Sequence, residues 1–304
     1  MKQSYSTATA ADREPAFTGC SATNVNLVLE GGAMRGQFTA GVLDFFMDHG
    51  LWCKTVIGTS AGALNGYNYV AGELGRTCYL NTKYAGDPRY LSMANFAKTG
   101  SALGTDFMFR TIPDELDPFD YDAFANSPCR LISVASNIEI GEADYHLCTD
   151  ARKDTPYLIA TASMPLVTKI VEVDGMKLLD GGTCDSIPLG YSMALGNTDK
   201  HIVVLTQSAD YIKGPNKTML LAKRVYADYP YFLERMEYRH FEYNRTRRRI
   251  QGLHDAGKVF MIRPPEPVTI SNMEHDPEKL FALYEQGYAE AARQWPALQA
   301  YLEK

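Results

Sequence analysis

The strongest constraint on the fold is a strand, a tight turn and a helix that follow one another without a spacer. Residues 55–57 form a short apolar run typical of a buried strand, and residues 61–74 predict a helix. Between them stands Gly-Thr-Ser-Ala-Gly at 58–62, whose small residues allow the sharp backbone turn of a nucleophile elbow. Such a turn places Ser60 at a helix N-terminus, where free N–H groups favour a developing anion. The segment predicts a nucleophilic serine, although a turn with an N-capping serine could have the same sequence.

The residues before and after this turn predict an α/β fold. Residues 25–29 are a β-rich run followed at once by glycines, and residues 37–49 show helical spacing before Gly50. Two loops then lie at the carboxyl ends of parallel strands, where ligand sites gather in open sheets. We expect a three-layer α/β/α sandwich with a central, mainly parallel sheet and C-terminal helical additions. Further elements are predicted as strands at 130–135, 145–148, 201–206 and 260–262, a hairpin at 168–179, and helices at 155–163, 216–255 and 276–303.

Composition favours an ordinary globular protein without a nucleic-acid partner. The chain has 304 residues, 45% of them hydrophobic, and a formal net charge of −6, so it has no overall basic field. No Pro/Gly/Ser linker divides it. We expect a flexible N-terminal segment at 1–23, a catalytic core at 24–210, and a mostly helical C-terminal extension at 211–304 packed on that core.

The sequence gives no sign of export. Its first residues are polar and lack the apolar region of a signal peptide, and no apolar run is long enough to span a membrane. The 6 cysteines form no CxxC pair and fit no disulfide framework, which favours buried thiols in a reducing compartment. We therefore expect a cytoplasmic protein.

The loop after the first strand, Glu-Gly-Gly-Ala-Met-Arg-Gly at 30–36, could hold an oxyanion with its N–H groups. A phosphate or dinucleotide loop is the alternative. A G-x-G-x-x-G fingerprint would have glycine where Ala33 stands, and the loop lacks the Lys-Ser/Thr ending of a P-loop. An oxyanion hole is therefore the stronger interpretation, with a nucleotide-binding α/β protein as an alternative.

A third motif, Asp180-Gly181-Gly182, ends the predicted hairpin. Alone it is a common turn, but together with Ser60 it makes Asp180 a candidate base. Aspartate has a free pKa of roughly 3.9, so it would need a partly desolvated position to act near neutral pH. A Ser60–Asp180 triad completed by His201 or His254 is a further alternative.

In combination and in this order, the motifs resemble the patatin-like phospholipase family. The matching segments are GGAMRG at 31–36, GTSAG at 58–62, ASMPLV at 162–167 and DGG at 180–182. The resemblance implies a patatin-like sandwich and a serine acyl hydrolase of lipase or phospholipase A type, acting through a Ser–Asp dyad and an acyl-enzyme. We expect no metal, since the sequence lacks the clustered His/Cys/carboxylate spacing of a catalytic metal site, and no cofactor. The roles it implies are nucleophile for Ser60, base for Asp180, oxyanion hole for Gly31, Gly32 and Ala33 near Arg35, and motif support for Gly58, Gly62, Gly181 and Gly182.

Ala33 departs from the family pattern, which usually has glycine at this position. If the backbone there needs positive φ, alanine costs about 1 kcal/mol or more in strain, although its N–H group remains. This departure is the one feature that favours the alternative of a catalytically idle lipid-binding or regulatory protein on the same scaffold.

Residues 231–250 carry six arginines and three glutamates interleaved with aromatic residues. This pattern suggests a basic amphipathic helix in peripheral contact with an anionic membrane surface. A packed helix with a solvated, internally paired charged face is the alternative. The expected partner is a lipid or acyl-ester substrate, with membrane contact through 231–250 as a separate prediction.

Overall fold

A computed structural model describes residues 14–304 and has an eight-stranded sheet at its centre. The strands are β1 (Thr23–Leu29), β2 (Cys53–Thr59), β3 (Arg130–Asn137), β4 (Glu142–Cys148), β5 (Val171–Val173), β6 (Met176–Asp180), β7 (His201–Val204) and β8 (Phe260–Ile262). Their order is β5-β6-β3-β2-β1-β7-β8, and β4 also pairs with β3. The run from β3 through β2, β1 and β7 to β8 is parallel, whereas β4, β5 and β6 pair antiparallel. The predicted mixed α/β fold with a mostly parallel central sheet is confirmed.

Helices occupy most of the connections between strands. They are α1 (Gly36–Asp48), α2 (Ala61–Val70), α3 (Arg76–Lys83), α4 (Met93–Thr99), α5 (Tyr121–Asn126), α6 (Thr155–Ala162), α7 (Leu189–Ala194), α8 (Met219–Val225), α9 (Pro230–Asp255) and α10 (Pro277–Glu303). Short 3₁₀ turns at Ala33–Arg35 and Gly181–Thr183 and a π-helical stretch at Phe107–Leu116 complete them.

Two predicted helices have different limits in the structure. The helix expected to reach residue 74 ends at Val70, and Gly72 follows with a φ of 70°. The long helical segment expected at 216–255 is divided before Pro230, which begins α9 and disfavours helical backbone at the residue before it. Of the predicted N-terminal segment, residues 1–13 lie outside the described residues. The part that is described contacts the core, because the rings of Phe17 and Trp52 meet edge to face with centroids 5.7 Å apart.

Successive side chains of β1 point to opposite faces of the sheet and pack in two separate apolar layers. Leu27 and Leu29 belong to the cluster that includes residues of α1, α2 and α10, whereas Val28 points to the opposite face and packs with residues of α7 and α9. The sheet is therefore covered by helices on both faces, which makes three layers.

The pairing of β3 brings two distant loops together. Residues 130–134 of β3 pair with β2, which places Val134 opposite Thr59. Beyond the end of β2, Ala135 pairs with Asp180 at the end of β6. Strand β4 pairs along nearly the whole of one edge of β3, so β2 and β6 share the other edge. The turn after β2 and the turn after β6 consequently start side by side.

Helix α10 packs on α1 through two glycines. A Cβ atom added to Gly41 would lie 2.0 Å from the carbonyl oxygen of Tyr284, and one added to Gly287 would lie 2.0 Å from the carbonyl oxygen of Phe38. The Tyr284 hydroxyl donates to Oδ2 of the buried Asp44 at 2.8 Å. The backbones of the two helices therefore approach too closely for any side chain at these glycines.

We expect Gly41→Ala and Gly287→Ala each to lower the free energy of unfolding by about 2 kcal/mol or more, because the helices must separate to fit the methyl group. Denaturant unfolding would measure this. Gly252→Ala is the matched control, since it lies in α9 with no atom within 4 Å of its added Cβ and should stabilise by up to about 1 kcal/mol. Equal effects at all three positions would contradict the close crossing.

Candidate active site

The turn between β2 and α2 holds Ser60 in a strained backbone conformation, with φ 55° and ψ −127°. A Cβ atom at Gly58 would lie 2.5 Å from the nitrogen of Ala63, and one at Gly62 would lie 2.5 Å from the carbonyl oxygen of Leu29. Both glycines of the pentapeptide are therefore required by close backbone approach. The geometry is that of a nucleophile elbow.

The hydroxyl of Ser60 donates a hydrogen bond to Oδ2 of Asp180 at 2.6 Å. The other carboxylate oxygen, Oδ1, accepts from the N–H of Gly182 at 2.7 Å. Both side chains are buried, and burial raises the pKa of Asp180 above its ordinary value, opposed by the bond from Ser60 and by the charge of Arg239. The structure thus places a serine hydroxyl against a carboxylate of increased basicity.

Two side chains and one backbone carbonyl also fix the two turns, and the sequence analysis assigned no role to these residues. Thr161 at the end of α6 accepts a hydrogen bond from the N–H of Ser60 at 2.7 Å and donates to the carbonyl of Val134. The hydroxyl of Ser136 donates to the carbonyl of Asp180 at 2.8 Å, and the backbone carbonyl of Ser163 accepts from the N–H of Asp180 at 2.7 Å. Ser163 lies within the segment 162–167 that carried the resemblance, which was the only available signal.

The loop at 31–36 lies directly against Ser60. A Cβ atom at Gly31 would be 3.1 Å from Cβ of Ser60, and one at Gly32 would be 2.7 Å from Oγ1 of Thr206. The N–H of Gly31 donates to the Ser186 carbonyl over a long 3.3 Å. Among the described residues we find no hydrogen-bond acceptor for the N–H groups of Gly32 and Ala33. These two are the donors free to meet a negative oxygen.

Ala33 adopts a φ of 48°, so the positive φ considered from the sequence is present. Alanine there costs about 1 kcal/mol or more relative to a relaxed residue. Arg35 lies two residues after Ala33 and is half-buried. Its Nη1 donates to Oδ1 of Asn272, and its Nε is buried and has no hydrogen-bond partner among the described residues. Alanine in place of the usual glycine keeps the backbone N–H group of position 33 as a donor.

Two cavities meet at Ser60. A polar cavity of about 400 Å³ and an apolar cavity of about 150 Å³ are both lined by Ala33, Ser60 and Met164. The polar cavity is lined, among others, by Glu30, Arg35, Gln207, Lys213, Arg239 and His240. The apolar cavity is lined, among others, by Met34, Leu64, Leu80, Leu91, Leu103 and Ile112. An ester at Ser60 could therefore extend one way into an apolar space and the other way into a polar one.

No histidine in residues 14–304 is hydrogen-bonded to Ser60 or Asp180. His201 contacts the hydroxyl of Ser192 at 2.8 Å, and His254 contacts the carbonyl of Val259. His240 lines the polar cavity, but its Nδ1 faces the carbonyl of Glu237. The triads with His201 or His254 have no geometric support.

A possible metal-ligand group that the sequence analysis missed lies on and after β4. The ligand atoms of His146, Cys148 and Asp154 lie within 4.8 Å of one another. Asp154 already accepts from Nε2 of His146 at 2.8 Å and from the backbone N–H groups of Thr149 and Asp150. Burial raises the pKa of the Cys148 thiol far above its usual range, whereas metal binding needs a thiolate. These hydrogen bonds stabilise the turn after β4 and favour a structural role over metal binding.

We expect Ser60→Gly to be about 1 kcal/mol more stable than Ser60→Ala, because glycine relieves the backbone strain that alanine keeps. Both variants lose the hydroxyl, so the difference isolates the conformational cost. Denaturant unfolding of the two variants under identical conditions would measure it. Equal stability would mean that the turn is not strained.

Comparison with known proteins shows the family to which the chain belongs. Residues 27–193 match the sequence profile of patatin-like phospholipases, and residues 229–303 match a domain of unknown function, DUF6363. The uncharacterized protein YjjU of Escherichia coli K12 is 27% identical over 176 residues, which cover 54% of this chain and 47% of that protein. The alignment thus spans about half the length of YjjU. The crystal structure of VipD from Legionella pneumophila is similar over 92% of this chain and 67% of that chain, with a TM-score of 0.41 and 11% identity. Because the profile match at 27–193 covers more than half of the chain, the protein belongs to the patatin-like phospholipase family.

Proposed function

We propose that the protein is a serine acyl hydrolase of lipase or phospholipase A type, which cleaves carboxylic esters of lipids through a Ser60–Asp180 dyad. The observation that carries this proposal is the 2.6 Å hydrogen bond from Ser60 to Asp180 at the point where the two cavities meet. The family contributes the expectation of lipid hydrolysis.

In the acylation step, Oγ of Ser60 attacks the carbonyl carbon of the ester while Oδ2 of Asp180 takes the hydroxyl proton. The N–H groups of Gly32 and Ala33 stabilise the negative oxygen of the tetrahedral intermediate. Collapse of that intermediate breaks the bond to the alcohol, which leaves with the proton from Asp180. The product is an acyl-enzyme on Ser60.

In the deacylation step, the same carboxylate accepts a proton from water as the water attacks the acyl carbonyl carbon. The bond to Ser60 Oγ then breaks, and the proton returns to Oγ. One residue can serve both steps because Asp180 lies within hydrogen-bond reach of the oxygen that is attacked and released. The raised pKa of Asp180 supports this role, since a base works best when its pKa approaches the operating pH.

The two cavities suggest how a substrate is oriented. The acyl chain would occupy the apolar cavity between α2 and the segment 103–113, because its lining side chains are largely aliphatic or aromatic. The alcohol portion would occupy the polar cavity, beside the cations of the C-terminal part.

We expect Ser60→Ala and Asp180→Asn each to lower kcat/KM for a short chromogenic ester by about a thousandfold or more, because one removes the nucleophile and the other the base. Asp228→Asn is the control, an exposed aspartate between α8 and α9, and it should keep wild-type activity. The dyad would be wrong if Asp180→Asn kept most of the activity. If the wild type binds lipid but hydrolyses no ester, the idle lipid-binding alternative is the better one.

We also propose that an apolar rim beside the polar cavity contacts an anionic membrane surface. The rim is formed by exposed side chains of Ile212, Leu220, Leu221, Val225, Tyr238 and Phe241, each more than half exposed. Lys217 lies between Ile212 and Leu220 in the sequence and lines the polar cavity. The ring of Phe241 packs on that of His240, which lines the same cavity. A Lys223–Glu237 ion pair of 3.4 Å joins α8 to α9.

The rim modifies the sequence-based interpretation of residues 231–250. Of the interleaved aromatic residues, Phe232 and Tyr243 are buried in the core, whereas Tyr231, Tyr238 and Phe241 are exposed. The apolar side chains of α8 were not anticipated. Within residues 14–304 no helix has the length and apolar character needed to cross a membrane. The rim supports peripheral contact, in which exposed apolar side chains and lysines act together.

We expect Leu220→Glu and Phe241→Glu each to lower the rate on anionic phospholipid vesicles about tenfold relative to the rate on a short soluble ester, because a carboxylate opposes both apolar insertion and anionic lipids. Leu147→Glu is the matched control, an exposed leucine on β4 outside the rim. The ratio of the two rates is the measurement. An unchanged ratio in both rim variants would contradict membrane contact through this surface.

A further inference from the structure

Strand β4 is a long edge strand of the sheet. Within residues 14–304 it pairs only with β3, whose other edge is occupied by β2 and β6. The edge strands β5 and β8 have three residues each, whereas β4 has seven. A short edge strand limits pairing with another chain, and a long one permits it. Strand β4 also contains neither proline nor lysine, which commonly block such an edge.

The backbone groups of β4 that face away from β3 can be identified from the register. The N–H of Ile138 donates to the carbonyl of Lys177, so the even-numbered residues of β3 direct their backbone groups toward β6. The odd-numbered residues of β3 therefore face β4, where they lie opposite its even-numbered residues. The outward N–H and C=O groups of β4 are consequently those of residues 143, 145 and 147. Among the described residues, these groups have no backbone partner.

The side chains of Asp144 and His146 lie on one face of β4, two residues apart. Asp144 is half-buried, and its Oδ2 has no hydrogen-bond partner in the described part of the chain. Burial raises the pKa of Asp144, and the charge of His146 opposes this effect. The ring of His146 stacks on that of Tyr157, with centroids 3.4 Å apart. An acidic residue thus precedes a basic one along the strand, which makes β4 complementary to a reversed copy of itself.

Two copies of β4 could pair antiparallel in several registers, and the charges favour one of them. The outward groups meet only if odd-numbered residues lie opposite odd-numbered residues. A pair centred on residue 144 would set Asp144 opposite its own copy, and a pair centred on residue 146 would set His146 opposite its own copy. A pair centred on Tyr145 aligns all seven residues and sets each Asp144 opposite the His146 of the other copy. Opposite charges directly across two strands stabilise the pair, and like charges destabilise it.

We propose that the free edge of β4 binds β4 of a second copy of this chain, antiparallel and centred on Tyr145, so that two sheets join across a two-fold axis. A two-fold interface uses the same surface on both copies, as this register does. Each outward residue would exchange two backbone hydrogen bonds with the residue opposite it, which gives about six in all. The inference does not depend on the proposed function, because neither Ser60 nor Asp180 takes part in the pairing.

Sedimentation of the full chain over a range of concentrations tests the edge. We expect a dimer with a Kd on the order of 10 µM, because strand pairing buries less surface than a standard interface. Ala143→Pro should weaken it at least about tenfold, since each copy loses an outward N–H while the bonds to β3 remain.

Glu172→Pro is the matched control on the edge strand β5. Glu172 is exposed and pairs with Lys177, whose carbonyl faces β3, so its own N–H also points outward. This variant should keep the wild-type Kd. A wild type that stays monomeric up to about 500 µM, or a dimer that Ala143→Pro leaves unchanged, would overturn the proposal.

Exchange of charges tests the register. Asp144→Lys sets a cation opposite His146, and His146→Glu sets two carboxylates opposite each other, so each variant alone should dimerise at least about tenfold more weakly. In an equal mixture of the two variants, the introduced lysine lies opposite the introduced glutamate, and the native His146 lies opposite the native Asp144. The mixed dimer should therefore recover to within about threefold of the wild-type Kd.

Recovery in the mixture cannot come from a folding defect, because both variants would carry that defect into the mixed dimer. A mixture that associates no better than either variant alone would overturn the proposed pairing. Melting temperatures identify variants that fail to fold. Ser60→Ala should keep the wild-type Kd, so the dimer and the proposed hydrolase can fail independently.

Discussion

The hydrogen bond between Ser60 and Asp180 is the interaction on which the site depends, and it joins residues 120 positions apart. It exists because β2 and β6 meet on one edge of β3, so that the turn after each strand begins at neighbouring positions. Close contact between the backbones of these turns and β3 also restricts which residues the sequence can have there. A Cβ atom at Gly181 would lie 2.1 Å from the carbonyl oxygen of Val134, so only glycine can follow Asp180 here. The distance between the Ser60 hydroxyl and the Asp180 carboxylate is thus set by backbone pairing.

The C-terminal part of the chain also helps to form the site. Tyr243 of α9 donates to Glu30 at the end of β1, and Arg239 packs on the turn at Gly182. On the other face, α10 crosses α1 at Gly41, and α1 begins where the 31–36 loop ends. Residues beyond the family match therefore contact Glu30 before the 31–36 loop, the turn at 180–182, and helix α1. A core cut at residue 193 would lack one wall of the polar cavity.

Sequence patterns predict the parts of this structure that local signals specify. The strand at 260–262 and the elbow at 58–62 agree with the structure, because apolar runs and obligatory glycines are local features. Thr161, Lys213 and Arg239 carry no such signal, since their positions at the site depend on how α6 and α9 pack. Helix α9 contains a missed signal. Its buried residues, Phe232, Met236, Tyr243, Arg247 and Ile250, follow helical spacing, which identifies the packed face even though charges interrupt it.

Several unfavourable features are concentrated at the junction of the two cavities. Ser60 and Ala33 hold positive φ, Asp180 is a buried carboxylate, and the Nε atoms of Arg35 and Arg239 are buried without partners. Each lowers stability, and together they are retained only because the sheet and the α1–α10 crossing over-determine the surrounding structure. Most of the unpartnered polar groups named at this junction are hydrogen-bond donors or cations, and few are acceptors. A bound group that brings negative oxygen to the loop at 31–36 would give the N–H groups of Gly32 and Ala33 an acceptor, and would offset part of this cost.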